Sequence, residues 1–385
     1  VNRKTRILYW TPFFLPDIGG IETLSSKLLP ALRKEGYDIT VLTSHGKYDV
    51  PDKTEFNGIP VFRFHTRSAI GKGDLAHILE IRSQVARLKR SFNPDLVHIH
   101  MSDPSVYFHL STADAFPAYT ILSIHHSTGC VGFRGGKDTL LGKALQMADW
   151  VTAVSRPILS ELLDIVPNKK NCSSVIYNGV EPSDIIPAPL SFDPPRILCF
   201  GRLIRSKGVD LVIAAFASLL TRYPRAQLII VGEGLQRTEL EKQVARLGLA
   251  NSVTFAGSVR PEEVPAIISR STIVVMPSRT EGFPMTALEA GQMARPVVAT
   301  PVGGLPEAIV HKETGLIVEC ENSSAIGDAL AFLLDHPETA RRMGEAARSR
   351  VIKKFSLKIC ADSYGELYRR LTRAMPAVPV MIKQP

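Results

Sequence analysis

Short apolar runs alternate with amphipathic stretches along nearly the whole chain. Runs of that length read as strands buried on both faces. Their alternation with helices calls for parallel sheets joined by right-handed crossovers. Strands are expected at 6–10, 39–43, 61–64, 96–100, 120–124, 150–154 and 174–177, and the helices between them include 20–35, 74–91, 137–147 and 156–165. The pattern then breaks at 181–195, which holds five prolines and no periodicity, so this stretch reads as a linker. It restarts with strands at 196–200, 227–231, 253–255, 273–276, 297–299 and 316–318. Helices are expected there at 209–220, 235–247, 262–269, 284–292 and 324–334, followed by 338–354 and 357–373. The expectation is an α/β chain of two Rossmann-like doubly wound domains, 1–183 and 190–359, facing a cleft. In such sheets ligands bind at the carboxyl ends of the strands.

A chain of 385 residues is long enough for two cores, and 45% hydrophobic with 22% charged residues is ordinary for a globular protein. No apolar run reaches the roughly 18 residues a membrane-spanning helix needs, and no signal peptide is evident, so a cytoplasmic location is expected. The cysteines 130, 172, 199, 320 and 360 are scattered, without redox or zinc spacing, and read as free thiols. Net charge is +9, and ten Lys/Arg face three acids between Thr339 and Arg373. A solvated helical face explains this most simply; attraction to anionic membrane on the inner face is the sharper reading. Nucleic acid is not expected, because no recognition helix or zinc module is visible.

Four constellations follow strands. FFLPDIGGIE (13–22) places Gly19 and Gly20 before a helix start, which suits an anion or serves as a plain turn. FGRLIRSKGVD (200–210) puts two cations, Arg202 and Lys207, on one loop, as a diphosphate leaving group needs. SRTEGFPMTALEA (278–290) combines Glu281, Gly282, Pro284 at the expected first helical position and Glu289 inside the helix. The first-turn amides of Met285 and Thr286 then lack intrahelical acceptors, and the two carboxylates can accept bonds from vicinal hydroxyls. SIHHSTG (123–129) carries His125 and His126, which strand geometry turns to opposite faces. His98 and His100 share a face, but no third ligand sits nearby in sequence, so no metal site is expected.

These motifs, with VGEG (231–234), IYNGVE (176–181) and GGLPE (303–307), resemble glycosyltransferase family 4, the group 1 glycosyl transferases, over nearly the whole chain. The E-x7-E frame of Glu281 and Glu289 is the most specific element. The resemblance implies a GT-B fold and retaining transfer of a hexose-type sugar from a UDP- or GDP-linked donor, without a metal or other cofactor. It implies that Arg202 and Lys207 hold the diphosphate, that Glu281 contacts the donor sugar near the anomeric centre, and that Glu289 binds the ribose. Gly282, Phe283 and Pro284 would shape the sugar pocket through backbone contacts, and Met285 and Thr286 would give amides to the phosphate. Gly232 would line the donor site and Val259 would lie at the nucleobase. His125 would touch the transferred sugar, with His126 in reserve on the acceptor side beside Gly19 and Gly20; Gly20 would also reach the donor phosphate. The first domain would bind the acceptor, and the terminal helix, about 360–375, would pack back onto it. Many relatives carry Gly where Pro284 stands, so one backbone donor to the sugar is lost here.

Two rival readings share the fold: a non-hydrolysing nucleotide-sugar epimerase and an inactive nucleotide-sugar-binding subunit. A dinucleotide-dependent dehydrogenase is discounted, because the first loop lacks G-x-G-x-x-G. The acceptor is expected to be a glycan, a lipid-linked molecule or a small molecule, shaped by loops 47–57, 67–73 and 129–138.

Overall fold

The structure is a computed structural model describing residues 3–100, 105–127 and 136–373. Its strands are β1 (Arg6–Thr11), β2 (Asp38–Ser44), β3 (Lys53–Phe56), β4 (Ile59–Phe64), β5 (Leu96–His100), β6 (Tyr119–Ile124), β7 (Trp150–Ala153) and β8 (Ser173–Val175), then β9 (Arg196–Phe200), β10 (Gln227–Val231), β11 (Val253–Gly257), β12 (Ile273–Met276), β13 (Val297–Ala299) and β14 (Gly315–Ile317). The helices are α1 (Gly20–Lys34), α2 (Thr66–Lys72), α3 (Leu75–Phe92), α4 (Val106–Leu110), α5 (Leu140–Met147), α6 (Arg156–Ile165), α7 (Val209–Arg222), α8 (Arg237–Arg246), α9 (Val264–Ser269), α10 (Met285–Gln292), α11 (Leu305–Ala308), α12 (Ser323–Asp335), α13 (Pro337–Lys354) and α14 (Leu357–Arg373).

Among the described residues the strands form two sheets, ordered β3-β4-β2-β1-β5-β6-β7-β8 and β11-β10-β9-β12-β13-β14. Each reverses its winding beside its first parallel strand, β1 in one and β9 in the other. Both reversals place a crevice at the carboxyl ends of the strands. The loops after β1, β6, β9 and β12 open there, and they carry the four constellations. β1, β2 and β5 are buried nearly throughout, as parallel strands covered on both faces must be.

The terminal helix α14 lies against α1 in the first domain. Tyr364, Leu367 and Tyr368 join the core made by Tyr9, Leu28 and Ile39. The Tyr37 hydroxyl donates to the Gly365 carbonyl at 3.0 Å. No helix among the described residues is long and apolar enough to cross a membrane.

Several local expectations need correction. The loop expected at 47–57 contains β3, which pairs antiparallel with β4. Asn57 and Gly58 both take left-handed φ, 50° and 73°, so they form the two-residue turn that Asn-Gly favours between strands. The loop expected at 67–73 is mostly α2, a seven-residue helix stopped by Gly73 in the left-handed region. The helix expected from 137 begins at Leu140, where the Thr139 hydroxyl accepts from the Gly142 amide at 3.1 Å. Pro284 is the residue before α10 rather than its first turn: φ −76° and ψ 127° are extended, and Met285 opens the helix. Most of the third acceptor loop, 129–135, lies outside the described residues.

Candidate active site

β12 ends at Met276, and the next residues turn back toward β9. Glu281 is 8% exposed at the foot of this loop. Its Oε1 accepts from Lys207 Nζ at 2.6 Å and from the Ser278 hydroxyl at 2.7 Å. A buried carboxylate without such donors would carry a large desolvation cost. The paired loops therefore hold each other: the 200–210 loop supplies the cation and the 278–290 loop the anion. A neighbouring cluster stiffens them. Arg279 clasps Asp210 through two bonds of 2.8 Å, donates to the Arg205 carbonyl at 2.7 Å and also pairs with Glu321. These contacts leave Arg279 little to offer a ligand.

Arg202 is exposed and has no ion-pair partner among the described residues. Its charge bears on Glu22 and on His126, both across the cleft. Glu22 is pushed up by burial, against the pull of Arg202. Gly20 faces α10, where an added Cβ would stand 3.8 Å from Met285 Cγ; Gly19, just before α1, is extended. Thus the first turns of α1 and α10 meet near Arg202, and the Met285 and Thr286 amides open α10 without intrahelical acceptors.

Glu289 lies one helix turn further on, partly exposed. Burial of its surroundings pushes the carboxyl up to about 7. No protein donor reaches it among the described residues. Val259 is half-buried beyond β11, and Gly232 follows β10 at φ 133°, its amide donating to the Gly257 carbonyl at 2.8 Å. The Phe283 ring does not face a ligand space. It packs in an aromatic cluster, 4.9 Å from Tyr177 and 5.1 Å from Phe355, and its carbonyl accepts from Asn178 at 2.9 Å.

Gly282 is where the two halves touch. A Cβ there would collide with the His125 carbonyl oxygen. At Gly304, whose amide donates to the Gly282 carbonyl at 2.7 Å, a Cβ would come 3.0 Å from Ser155 Cβ. Glu307 bridges the same seam: it accepts from the Arg156 amide at 2.8 Å and from the Tyr177 hydroxyl. Burial and this carboxylate push the Tyr177 hydroxyl up to about 12.

His125 is buried and its Nε2 lies 2.8 Å from His100 Nδ1. Burial, with His126 beside it, pulls His125 down to about 3, so the ring is neutral. His100 and His98 are likewise held neutral by burial. His98 spans Tyr368 on α14 at 2.6 Å and Ser123 at 2.7 Å. His125 Nδ1 and His100 Nε2 are buried without a partner among the described residues. His126 is half-buried, its Nδ1 3.3 Å from the Ser127 carbonyl.

The structure thus brings Lys207, Glu281, Gly282 and His125 together, with Arg202, Gly20 and Met285 beside them. Sequence reasoning gave Ser278 no role and weighed His100 only as a metal ligand. Ser278 stands in S-x-x-E register ahead of Glu281, and His100 stands on the strand adjacent to β6 in register with Ser123, so strand pairing was its signal. It also missed a metal-like geometry: His45, Asp52 and His65 offer ligand atoms within 4.8 Å of one another. That group lies after β2 and β4 and shares no residue with the site above.

Two doubly wound domains closing on cations, carboxylates and a helix start define a two-domain GT-B glycosyltransferase. Residues 18–184 match the family model Glycosyltransferase Family 4, and residues 184–350 match Glycosyl transferases group 1. The chain belongs to this group 1/family 4 glycosyltransferase family. It is 37% identical over 179 residues to alpha-D-kanosaminyltransferase of Streptomyces kanamyceticus, a match that spans 46% of each chain, just under half of that relative's length. It is 25% identical to N-acetyl-alpha-D-glucosaminyl L-malate synthase of Bacillus anthracis, over 93% of this chain and 96% of that one. Its fold matches sucrose-phosphate synthase from Thermosynechococcus elongatus with a TM-score of 0.82 at 24% identity, covering 97% of this chain and all of that one.

Proposed function

We propose that this enzyme is a retaining hexosyltransferase that moves a sugar from a UDP- or GDP-linked donor to a glycan, lipid-linked or small-molecule acceptor without a metal. The observation that carries the reading is the Lys207–Glu281 pair at the start of α10, sealed against His125 by Gly282. A nucleotide's diphosphate has a natural seat between Arg202, Lys207 and the Met285 and Thr286 amides. Glu289 then accepts the ribose hydroxyls, and Glu281 accepts from the hexose. Gly232 and Val259 line the base end of this donor path, and Pro284 bounds the sugar end.

Among the described residues of this cluster Glu281 already holds Lys207 and Ser278, so we assign no protein nucleophile. Retention then proceeds on one face. The departing diphosphate, neutralised by two cations, takes the acceptor's proton as the new glycosidic bond forms. His125, neutral and with a free Nδ1, contacts the sugar from the first-domain side; His126, Gly19 and Gly20 border the acceptor. The first domain receives the acceptor, and the enzyme works in the cytoplasm, with peripheral contact to the inner membrane face where the acceptor is lipid-linked. The alpha-D-glycosyl groups in the names of both relatives support this stereochemistry.

The test is a donor screen followed by product analysis. A UDP- or GDP-sugar should raise the melting temperature. Transfer should persist in chelator and yield a product with the donor's anomeric configuration, read by proton NMR. An inverted product, or turnover of donor into its epimer without acceptor, would overturn the proposal.

A further inference from the structure

The basic run noted between Thr339 and Arg373 plays no part in the donor site. Six of its cations lie on α13, and three of them, Arg341, Arg348 and Lys353, stand with Glu345 and Ile352 on one side of the helix. That face forms one wall of a groove of about 710 Å³. The opposite wall is the linker at 187–190, and Ala294–Arg295, just past the end of α10, closes the bottom.

Arg295 is the unusual member. It is 1% exposed, among the largest fully buried side chains of the protein. No carboxylate pairs with it among the described residues. One terminal nitrogen donates to the Ala188 carbonyl, and its Nε has no partner. Burial pulls it down to about 10. A buried guanidinium without an anion is costly to keep. Arg348 and Lys353, which also line the groove, have no ion pair among the described residues either. Arg341 pairs with Glu338 and lies over the Phe192 ring, 5.2 Å from its centroid. Glu345 is the lone acid of the lining.

We propose that this groove, between the interdomain linker and α13, is a second anion site that binds a phosphate-bearing ligand on Arg295, Arg348 and Lys353. It shares no residue with the donor site, yet it sits at the far end of α10, whose first turn faces that site. A phosphate there would complete Arg295 and tie the linker to α13. The phosphate belongs either to a soluble compound or to a lipid headgroup, and the chemistry of recognition is the same for both.

The experiment uses the full chain and pyrophosphate as probe. Because the donor site also attracts phosphate through Arg202 and Lys207, the background is the double variant Arg202→Ala/Lys207→Ala. Pyrophosphate should raise the melting temperature of that variant by on the order of a few degrees. The rise should vanish when Arg348→Glu and Lys353→Glu are added. Lys353 is exposed and Arg348 half-buried, and neither has a partner among the described residues, so the fold tolerates reversal where Arg295→Gln would risk unfolding. No rise in that background, or a rise that survives the two reversals, overturns the proposal. Sedimentation of the wild-type chain with vesicles of equal parts phosphatidylcholine and phosphatidylglycerol then finds the source. Vesicle binding abolished by the reversals assigns the phosphate to a lipid; absent or unaffected vesicle binding assigns it to a soluble compound.

Discussion

On the second-domain side of the cleft, the loops after β9 and β12 meet through Lys207 and Glu281 at 2.6 Å, with exposed Arg202 beside them. On the first-domain side, the strand ends carry His98, His100 and His125, all buried and neutral; His100 and His125 bond each other, and His98 bonds Tyr368 on α14. One lip presents formal charge on short, interlocked loops. The other presents uncharged rings locked into the sheet and into a helix that arrives from the far end of the chain. The contrast suits a reaction in which negative charge leaves toward one side while the sugar is steadied from the other. Charge placed on the histidine side would oppose an oxocarbenium-like centre, and neutral donors there do not.

The largest effect should come from breaking the charged lip. Glu281→Gln keeps the volume and removes the charge, and kcat should fall by roughly 10³-fold, the scale of a lost electrostatic contact at a reacting centre. Lys207→Ala should lower kcat comparably, but it also strands a buried carboxylate and so lowers the melting temperature. The double variant Lys207→Ala/Glu281→Gln separates the two roles: it should recover melting temperature relative to Lys207→Ala and recover no turnover. If turnover returned with stability, the pair would be structural and the contrast between the lips would collapse.

Next comes the seam between the lips. Gly282→Ala drives a Cβ into the His125 carbonyl oxygen, so the halves must part. A displacement near 1 Å costs roughly 10²-fold in kcat. The second domain's own core is untouched, so the melting temperature should move little. Steady-state kinetics beside calorimetry checks both.

A smaller effect should follow from breaking the neutral lip. His100 touches His125 and is a positioning residue. When His100 Nδ1 donates to His125 Nε2, the proton of His125 rests on Nδ1, the nitrogen without a protein partner. His100→Phe removes that bond and should lower kcat about thirtyfold, a loss of roughly 2 kcal/mol for a buried hydrogen bond. His100→Gln, which can still donate, should restore most of it, whereas a purely packing role would favour Phe.

The same contrast explains what the sequence made legible. Strand and helix alternation, the proline-rich linker and the charged motifs all act over a few residues, so apolar period and spacing revealed them. The strand at 53–56 was missed although Asn57-Gly58 marks its turn, because its four residues carry no sustained apolar alternation. The position of Pro284 was misjudged by one residue, since proline's fixed φ fits both the turn before a helix and its first residue. The histidine network was hidden for a different reason. His98 and His100 are one strand away from Ser123 and His125, and 270 residues separate His98 from Tyr368. Only pairing of β5 with β6 and the return of α14 bring them together. Likewise nothing in the local sequence marks Arg295, which is buried where it donates to Ala188 of the linker, 107 residues away.

The smallest effect concerns Glu289, the carboxyl pushed up to about 7 with no protein donor to hold its charge. Because its folded value is raised above the ordinary 4.5, the protonated form favours the fold. That contribution is present at low pH and lost as pH rises through 7. A donor whose ribose hydroxyls bond the ionised carboxylate works in the opposite sense: binding pulls the proton off. Affinity for a nucleotide sugar should therefore rise about tenfold between pH 6 and pH 8. The diphosphate diester of such a donor has no group titrating in that range, so the slope belongs to the protein. Glu289→Gln should flatten it, while binding at pH 6 stays within a few-fold of the wild type. Calorimetric titration at the two pH values makes the measurement. A slope that persists in Glu289→Gln would move the titrating group to another residue and leave the ribose without the carboxylate assigned to it.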